Sequence, residues 1–295
     1  MSEGGSRDRV GTVGRMRVLA FLDGTLGDPD LPHVRVEDLG LMRGDGVFET
    51  VLVAGGRPRE LRPHLDRLAR SAAMLDLPEP DDEAWQRTTQ LVIDNWSGPE
   101  FALKLIYSRG VEGDHAAPTA FALGLEISEK VVRARKEGVS VITLDRGIDP
   151  GLAERAPWLL LGAKSLSYAI NMAAVREAAR RDADDVVFTA TDGSVLEGPT
   201  SNVIVARGRT LYTPPAGIGI LPGTTQAAVF RGAERVGWST KIEPLRVEDL
   251  RTADGVFLAS SVRKLTRVHT LDGEPLKDAT EIHQELAKAY EAVYA

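Results

Sequence analysis

Lys164 is the residue whose position in the sequence most favours covalent chemistry. It follows the apolar segment 159–163 and stands just before a predicted helix that starts at Leu166. Apolar surroundings disfavour the charged form of an amine, so they lower the pKa of a lysine and make it a nucleophile. The alternative is a lysine that extends from a helix start into solvent. This segment alone leaves both readings open.

A glycine-rich loop in the second half of the chain could hold a phosphate. Gly217, Gly219 and Gly223 precede a predicted helix that opens with Thr224 and Thr225. Free backbone N–H groups at a helix start, together with hydroxyls, bind phosphate oxygens. A helix cap without any ligand explains the same residues. The dinucleotide-binding pattern fits poorly, because one residue too many precedes the third glycine and repeated strand–helix alternation is missing.

A reactive lysine combined with a phosphate site indicates pyridoxal 5′-phosphate, a cofactor that also needs a partner for its pyridine nitrogen. Glu197 is the candidate acid. It lies at the end of a predicted strand, beside small residues such as Gly198 that would let a ring approach closely. A glutamate at such a strand end is usually solvated, so this hypothesis depends on the lysine and the phosphate site as well.

Several other kinds of active site are excluded or disfavoured by residue types. The chain has no cysteine, which excludes thiolate catalysis, disulfides and iron–sulfur clusters. A Gly-x-Ser-x-Gly motif is missing as well. The five histidines show no metal-ligand spacing, so no metal is expected; they are His33, His64, His115, His269 and His283. His64 falls on the apolar face of its predicted helix, where a packed histidine is the favoured interpretation.

Composition places these residues in an ordinary globular protein. The chain has 295 residues, of which 27% are charged and 43% apolar, as expected for one large or two modest domains. Its net charge of -7 provides no positive field for nucleic acid or an anionic membrane. No apolar run approaches the roughly 20 residues of a membrane-spanning helix, and the N-terminus lacks the apolar core of a signal peptide. We therefore predict a cytoplasmic protein.

The hydrophobic pattern predicts two domains that position the candidate residues. Residues 1–15 lack periodicity and are expected to be a flexible tail, so that Met16 competes with Met1 as the natural start. Alternating strands and helices favour a small N-terminal α/β domain at 16–128. The charged segment 129–138 ends in a glycine and is interpreted as a linker. Residues 139–295 form the predicted larger domain, rich in antiparallel strands.

Five segments taken together resemble the fold type IV pyridoxal-phosphate enzymes. In the family's order they are 43–49 (RGDGVFE), 64–68 (HLDRL), Lys164, 196–198 (LEG) with 201–202 (SN), and 221–225 (LPGTT). This family includes branched-chain aminotransferases, D-amino acid aminotransferases and aminodeoxychorismate lyases. The resemblance implies a two-domain α+β fold, like that of D-amino acid aminotransferase, with the cofactor in the interdomain cleft. It also implies a homodimer whose sites are built partly across the subunit interface.

The resemblance assigns roles to individual residues. Lys164 corresponds to the lysine that forms the Schiff base, and Glu197 to the carboxylate that keeps the pyridine nitrogen protonated. Tyr168 is the counterpart of a residue that bonds the cofactor's phenolic oxygen, although its spacing from Lys164 differs by one from that in branched-chain enzymes. The phosphate contacts implied are Arg67, Thr224, Thr225 and Ser261, and the other implied cofactor-binding residues are Ser201, Asn202 and Gly223.

Departures from the family pattern bear on the substrate. Phe48 and Arg109 match substrate-binding positions, and Arg109 matches the residue that grips the substrate carboxylate in D-amino acid enzymes. Arg43 replaces the usual aromatic residue, and Arg263 lies in a stretch, 262–267, that departs from the family's sequence. Extra arginines suit a substrate with two carboxylates, although either could be a surface residue. We expect a 4-amino-4-deoxychorismate lyase that serves folate synthesis, with a D-amino acid or branched-chain aminotransferase as the alternative.

Overall fold

The computed structural model describes residues 16–113 and 117–295, so the predicted tail at 1–15 lies outside the described residues. The first half folds around an antiparallel sheet whose strand order is β2-β1-β6-β5-β3-β4. Its strands are β1 (Arg17–Phe21), β2 (Leu26–Gly27), β3 (Gly46–Ala54), β4 (Arg57–Pro58), β5 (Glu100–Ser108) and β6 (Thr119–Leu125), and its helices are α1 (Leu39–Arg43), α2 (Leu61–Met74) and α3 (Asp82–Asp94).

Helices α2 and α3 cover one face of this sheet. Apolar residues at helical spacing, among them Leu68 of α2 and Trp85 of α3, are fully buried against sheet residues such as Leu103. Asp81 caps α3 by accepting a hydrogen bond from the backbone N–H of Ala84 at 2.9 Å. The packing fixes α2 across β3, and this pair of elements carries one side of the site described below.

The second half is built on a mixed sheet with strand order β11-β10-β9-β12-β13-β7-β8, with β14 paired to β13. Its strands are β7 (Val139–Asp145), β8 (Asp185–Thr189), β9 (Asn202–Arg207), β10 (Thr210–Thr213), β11 (Ser239–Ile242), β12 (Gly255–Ser260), β13 (Lys264–Leu271) and β14 (Glu274–Pro275). The helices are α4 (Glu129–Glu137), α5 (Leu152–Arg155), α6 (Ala169–Arg180), α7 (Thr224–Arg235), α8 (Val247–Arg251) and α9 (Thr280–Glu291), and Pro157–Leu159 and Ala216–Ile218 are 3₁₀ turns.

The segment 129–138, expected to be a linker, is helical, since Glu129–Glu137 form α4. Ala134 is buried, whereas the charged residues Glu129, Lys130, Arg133, Lys136 and Glu137 are exposed. Arg135 donates two hydrogen bonds to the carbonyl of Val262 in the second half and pairs with Glu100 of the first at 2.7 Å. The helix therefore ties the two halves together. The sequence pattern did not reveal this helix, because most of its residues are charged and only one small residue, Ala134, is buried.

The helix predicted from Leu166 begins three residues later, at Ala169. Ser165 forms a bridge with Val47, and the N–H of Leu166 donates to the carbonyl of Gly46 at 2.8 Å. The segment is extended because β3 provides hydrogen-bond partners that a helix would forgo.

Strand β13 was not recognised from the sequence, where its first residues were considered only as a substrate-binding stretch. No helix in the described part of the chain is long and apolar enough to cross a membrane.

Candidate active site

A cavity of about 1260 Å³ lies between the two sheets, and both halves of the chain line it. The lining brings together most of the residues that the sequence singled out. From the first half it includes Phe48, Thr50, His64, Arg67 and Lys104, and from the second Arg146, Lys164, Tyr168, Glu197, Ser201, Asn202, Gly223, Thr224, Thr225, Ser261 and Arg263.

Lys164 is held against the first sheet by its backbone. The N–H of Phe48 donates to its carbonyl at 3.0 Å, and its own N–H donates to Ser71 Oγ at 3.1 Å. The Nζ atom lies 4.5 Å from the centre of the Phe48 ring and 5.6 Å from that of Tyr168. Burial lowers the pKa of Lys164 to about 8. A substantial share of the amine is therefore neutral near pH 8, as a nucleophile or base requires.

Glu197 is buried rather than solvated, with 9% of its surface exposed. The N–H of Leu221 donates to Oε2 at 3.0 Å, and Arg146 Nη1 lies 3.4 Å from Oε1. Burial raises the pKa of Glu197 to about 7, although both of these donors act in the opposite direction. A carboxyl group in this state can pair with a protonated ring nitrogen that enters the cavity. The common alternative of a solvated strand-end glutamate is excluded at this position.

Arg67 and the hydroxyls at the start of α7 form one polar cluster. Arg67, Thr224 and Thr225 have exposed fractions of 5%, 7% and 5%. Arg67 donates from Nε and Nη2 to the two carboxylate oxygens of Glu49, at 2.7 and 2.8 Å, and from Nη1 to the carbonyl of Pro222 at 2.9 Å. Free N–H groups of the first turn of α7 lie beside the threonine hydroxyls. This cluster, which we call the anion cradle, also includes Ser261.

Small and buried residues pack closely around the cradle. A Cβ atom on Gly223 would collide with Asn202 Oδ1, so only glycine fits there. Asn202 in turn donates to the carbonyl of Leu221 at 2.7 Å. Ser201 Oγ is buried without a hydrogen-bond partner among the residues that the structure describes. Tyr168 donates from its hydroxyl to the carbonyl of Pro199 at 2.5 Å and stands edge-on to Phe48.

The three arginines expected to hold substrate are placed differently from one another. Arg43 and Arg109 lie outside the lining of this cavity, and both contact Asp45, at 3.3 and 2.9 Å. Arg109 also donates to the carbonyl of Leu75 at 2.5 Å. Arg263 does line the cavity, where it forms a buried ion pair with Asp185 at 2.6 Å. All three guanidinium groups thus have carboxylate partners within the chain.

Sequence reasoning overlooked four residues of the site. Glu49 stood in a segment that was noted for its resemblance but was given no role, although alternation along β3 places a carboxylate on the face that α2 covers. Arg146 and Lys104 carried no signal, since each is a lone cation in a strand region. His64 is buried as expected, with 1% of its surface exposed, but it also reaches the cavity. Its spacing of three residues from Arg67 on one helix face was the available signal.

Comparison with known proteins agrees with this geometry. The sequence profile described as Amino-transferase class IV matches residues 46–271. The chain belongs to this family. It is 45% identical to the bifunctional aminodeoxychorismate lyase / D-amino acid transaminase of Mycobacterium tuberculosis, in a match that covers 92% of this chain and 98% of that protein.

Solved structures of class IV aminotransferases share the fold. A hypothetical aminotransferase from Mycobacterium tuberculosis in its PLP-bound form matches with a TM-score of 0.91 and 45% identity, over 94% of this chain and 98% of that one. The fold IV-transaminase CpuTA1 from Curtobacterium pusillum matches with a TM-score of 0.89 and 43% identity, over 94% and 99% of the two chains. The predicted fold type IV architecture and the prediction of an enzyme are confirmed.

The residues present fit pyridoxal 5′-phosphate. Lys164 offers a partly neutral amine, Glu197 offers a buried carboxyl group whose donors are the Leu221 N–H and the more distant Arg146, and both side chains line the cavity. The unpartnered hydroxyl of Ser201 points to a group that the protein itself does not supply. The anion cradle offers hydroxyls, helix N–H groups and a guanidinium group, which suit a phosphate.

Proposed function

We propose that this class IV family member is a 4-amino-4-deoxychorismate lyase, which releases pyruvate and 4-aminobenzoate. The observation that carries the proposal is the shared cavity of Lys164, Glu197 and the anion cradle. The 45% identity to a protein named as a bifunctional aminodeoxychorismate lyase / D-amino acid transaminase supports it further. A role in folate synthesis and a cytoplasmic location are part of the same proposal.

Pyridoxal 5′-phosphate would be held at three points by this chain. Lys164 would form the Schiff base, Glu197 would pair with the pyridine nitrogen, and the anion cradle would bind the phosphate. Tyr168, Ser201, Asn202 and Gly223 would surround the ring. The bound cofactor supplies an electron sink, which acidifies the proton on the carbon that carries the substrate's amino group.

Lys164 then serves as the proton carrier. With substrate bound, the neutral amine of Lys164 would take the proton from the ring carbon that carries the substrate's amino group. The C–O bond to the three-carbon side chain breaks, the six-membered ring becomes aromatic, and Lys164 returns a proton to the departing carbons to give pyruvate. The lowered pKa of Lys164 allows one group to accept and donate the proton near neutral pH.

Substrate binding involves Phe48 and cationic side chains. The Phe48 ring, whose centre is 4.5 Å from Lys164 Nζ, offers a flat apolar face for a six-membered ring. Lys104 lines the same cavity without an ion-pair partner in the described ranges, and its charge contributes, after burial, to the lowered pKa of Lys164. We propose that Arg109 and Arg43 bind a substrate carboxylate in the neighbouring subunit, because both lie outside their own cavity.

A homodimer is therefore part of the proposal. Exposed apolar side chains occur in α1, namely Leu41 and Met42 at 66% each, and in the cavity region, namely Trp158 at 74% and Ile170 at 71%. Helix α1 ends against the segment before α6, where Ser167 donates to the carbonyl of Gly44 at 3.3 Å. Covering such a surface is a common reason for two-fold association. Light scattering should give twice the monomer mass of 31.9 kDa, and an active species of 31.9 kDa would contradict the dimer.

The reaction itself is tested by product analysis. Purified protein loaded with pyridoxal phosphate is incubated with aminodeoxychorismate in one arm, and with D-alanine or L-leucine plus 2-oxoglutarate in the others. We expect 4-aminobenzoate and pyruvate from the first arm. Glutamate from an amino acid arm without any 4-aminobenzoate would overturn the lyase and leave an aminotransferase. Lys164→Ala is the control, since any product that persists does not come from this site.

D-amino acid transamination is the second candidate, favoured by the double activity in the name of the Mycobacterium tuberculosis relative. The same residues can perform it. Lys164 would take the proton from the amino acid's α-carbon and return it to the cofactor instead of to the departing carbons. Both reactions from one preparation, lost together in Lys164→Ala, would indicate a bifunctional enzyme.

A further inference from the structure

His64 lies between a buried carboxylate and the hydroxyls of the anion cradle. Its Nδ1 is 2.7 Å from Glu49 Oε2. Its Nε2 is 3.1 Å from Thr224 Oγ1 and 3.0 Å from Ser261 Oγ. The ring thus contacts both of these hydroxyls through one nitrogen, and a single ring nitrogen has either one proton or one lone pair to offer.

The guanidinium group of Arg67 does not by itself make the cradle positive. Glu49 is fully buried and accepts two hydrogen bonds from Arg67. Burial alone would raise the pKa of Glu49, but Arg67 and His64 hold it far below its usual value. Glu49 is therefore a carboxylate, and its charge offsets that of Arg67. A doubly charged phosphate entering the cradle meets a nearly neutral ion pair.

Charges around the imidazole determine its state in the empty site. Within the described residues they are Glu49 on β3, Arg67 on α2 and Lys164 before α6, while α7 and the segment after β12 present only hydroxyls. Burial lowers the pKa of His64, and Arg67 and Lys164 lower it further, whereas Glu49 raises it. The neutral ring must donate from Nδ1, because Glu49 can only accept. Nε2 then carries a lone pair that accepts from one of the hydroxyls.

A phosphate dianion reverses that last hydrogen bond. Its oxygens only accept, so they draw the protons of Thr224 and Ser261 toward themselves. The lone pair of Nε2 would then face the lone pairs of both hydroxyl oxygens, which is unfavourable in a buried site. A proton on Nε2 removes the repulsion, because the N–H can donate to a hydroxyl oxygen. It also adds a positive charge that Glu49 and Arg67 together do not supply.

We propose that His64 takes up one proton at Nε2 when a phosphate monoester dianion binds, and that the resulting imidazolium holds Thr224 and Ser261 in position to donate to the phosphate. The inference rests on the proposed function only in assigning the cradle to a phosphate. His64 is accordingly a positioning residue for the cradle, and it favours dianionic esters over monoanions.

The test uses apoprotein and pyridoxine 5′-phosphate, which has the phosphate and the ring but no aldehyde to react with Lys164. Titration calorimetry in two buffers of different ionisation enthalpy gives the number of protons taken up on binding. We expect about one proton more for wild type than for His64→Gln, and roughly ten- to hundredfold weaker binding by the variant, as for loss of a charge-assisted hydrogen bond. His283→Gln is the matched control, since His283 is partly buried and, like His64, hydrogen-bonded, to the carbonyl of Leu265 at 2.9 Å, but lies outside the cavity.

Nitrogen-15 NMR of the wild-type histidines keeps the test valid if His64→Gln does not fold. We expect His64 to be protonated on Nδ1 alone in the apoprotein and on both nitrogens in the complex, with a phosphorus-31 shift typical of the dianion. A complex in which Nε2 stays unprotonated, or in which His64→Gln takes up as many protons as wild type, would overturn the inference. Failure of pyridoxine phosphate to bind wild type, or binding unaffected by Arg67→Gln, would overturn the cradle assignment instead.

Discussion

The arginine proposed to bind the cofactor phosphate and those proposed to bind the substrate differ in burial and in their partners. Arg67 is almost fully buried, lines the cavity and is held by two hydrogen bonds to Glu49. Arg43 and Arg109 lie outside the cavity, with 56% and 33% of their side chains exposed, and share Asp45. Residues proposed to bind cofactor therefore converge within one chain, whereas those proposed to bind the substrate carboxylate do not.

This difference shows which part of the chemistry one subunit can position alone. Buried, hydrogen-bonded groups are fixed before any ligand arrives, and such preorganisation is what catalysis requires of them. Arg43 and Arg109 are more exposed and share one aspartate, whose place as their anionic partner a substrate carboxylate can take. We infer that the cofactor half of the site is complete in each chain and that the substrate half is completed on binding or by a second subunit. The following predictions test this division.

Lys164→Ala should have the largest effect on activity. The variant loses the amine that we propose forms the Schiff base and carries the proton, so turnover of every substrate should fall by at least on the order of 10² to 10⁴-fold. The visible absorption band of the lysine-bound cofactor should disappear, while pyridoxal phosphate still binds in the cradle. Circular dichroism and the thermal midpoint should match wild type. A wild-type absorption spectrum in the variant, with no amine added, would contradict the assignment.

Arg263→Gln should reduce stability more than it changes substrate binding. Arg263 forms an ion pair at 2.6 Å with Asp185, whose side chain is 3% exposed. Removing one member of a buried pair leaves an uncompensated charge and costs about 3–5 kcal/mol of unfolding free energy. Urea denaturation of the apoprotein measures this loss, and the double variant Arg263→Gln with Asp185→Asn should recover part of it. Unchanged stability together with a raised Michaelis constant would instead show that Arg263 binds the substrate.

The buried acid of the cofactor half should make the apoprotein sensitive to pH. The pKa of Glu197 rises from 4.5 to about 7 on folding. Its contribution to the free energy of unfolding is thus fully present below pH 4.5 and is lost as the pH rises toward 7. The loss amounts to up to about 3 kcal/mol, because each pKa unit corresponds to 1.36 kcal/mol. Urea titrations at pH 5 and pH 8 should show this decrease in wild type and a smaller one in Glu197→Gln.

In the loaded enzyme, Glu197→Gln should retain cofactor and lose turnover. A neutral amide cannot stabilise a protonated ring nitrogen as a carboxylate does, and a charge-assisted hydrogen bond of this kind is worth about 1.5–3 kcal/mol. Turnover should accordingly fall about ten- to hundredfold. Steady-state kinetics at saturating substrate measure it, with cofactor content checked by absorbance. If turnover is unaffected, the carboxylate does not act on the ring.

The cofactor half was more accessible to sequence analysis than the substrate half. Lys164 and Glu197 follow apolar segments, and the threonines of α7 follow a glycine at a helix start, and such positions are visible in the pattern. Glu49 and His64 were not assigned roles, because their effect comes from tertiary contacts between β3, α2 and α7 that no local pattern encodes. For the same reason the helical conformation of the connection at 129–138 could not be foreseen, nor could the ion pairs of Arg43, Arg109 and Arg263.

Arg109→Gln should have the smallest effect on its own and yet decide the comparison most directly. Loss of one partly exposed carboxylate contact should raise the Michaelis constant about tenfold, with little change in the thermal midpoint. If Arg109 acts in the neighbouring subunit, mixing Arg109→Gln with Lys164→Ala subunits creates dimers in which one site carries both defects and the other carries neither. Random mixing should then restore about a quarter of the wild-type sites, measured at low substrate concentration. If Arg109 acts within its own chain, every site in the mixture stays defective and activity shows no recovery. Arg43→Gln, which alters the more exposed partner of Asp45, is the matched variant, and recovery for Arg109 alone would assign the carboxylate contact to that residue.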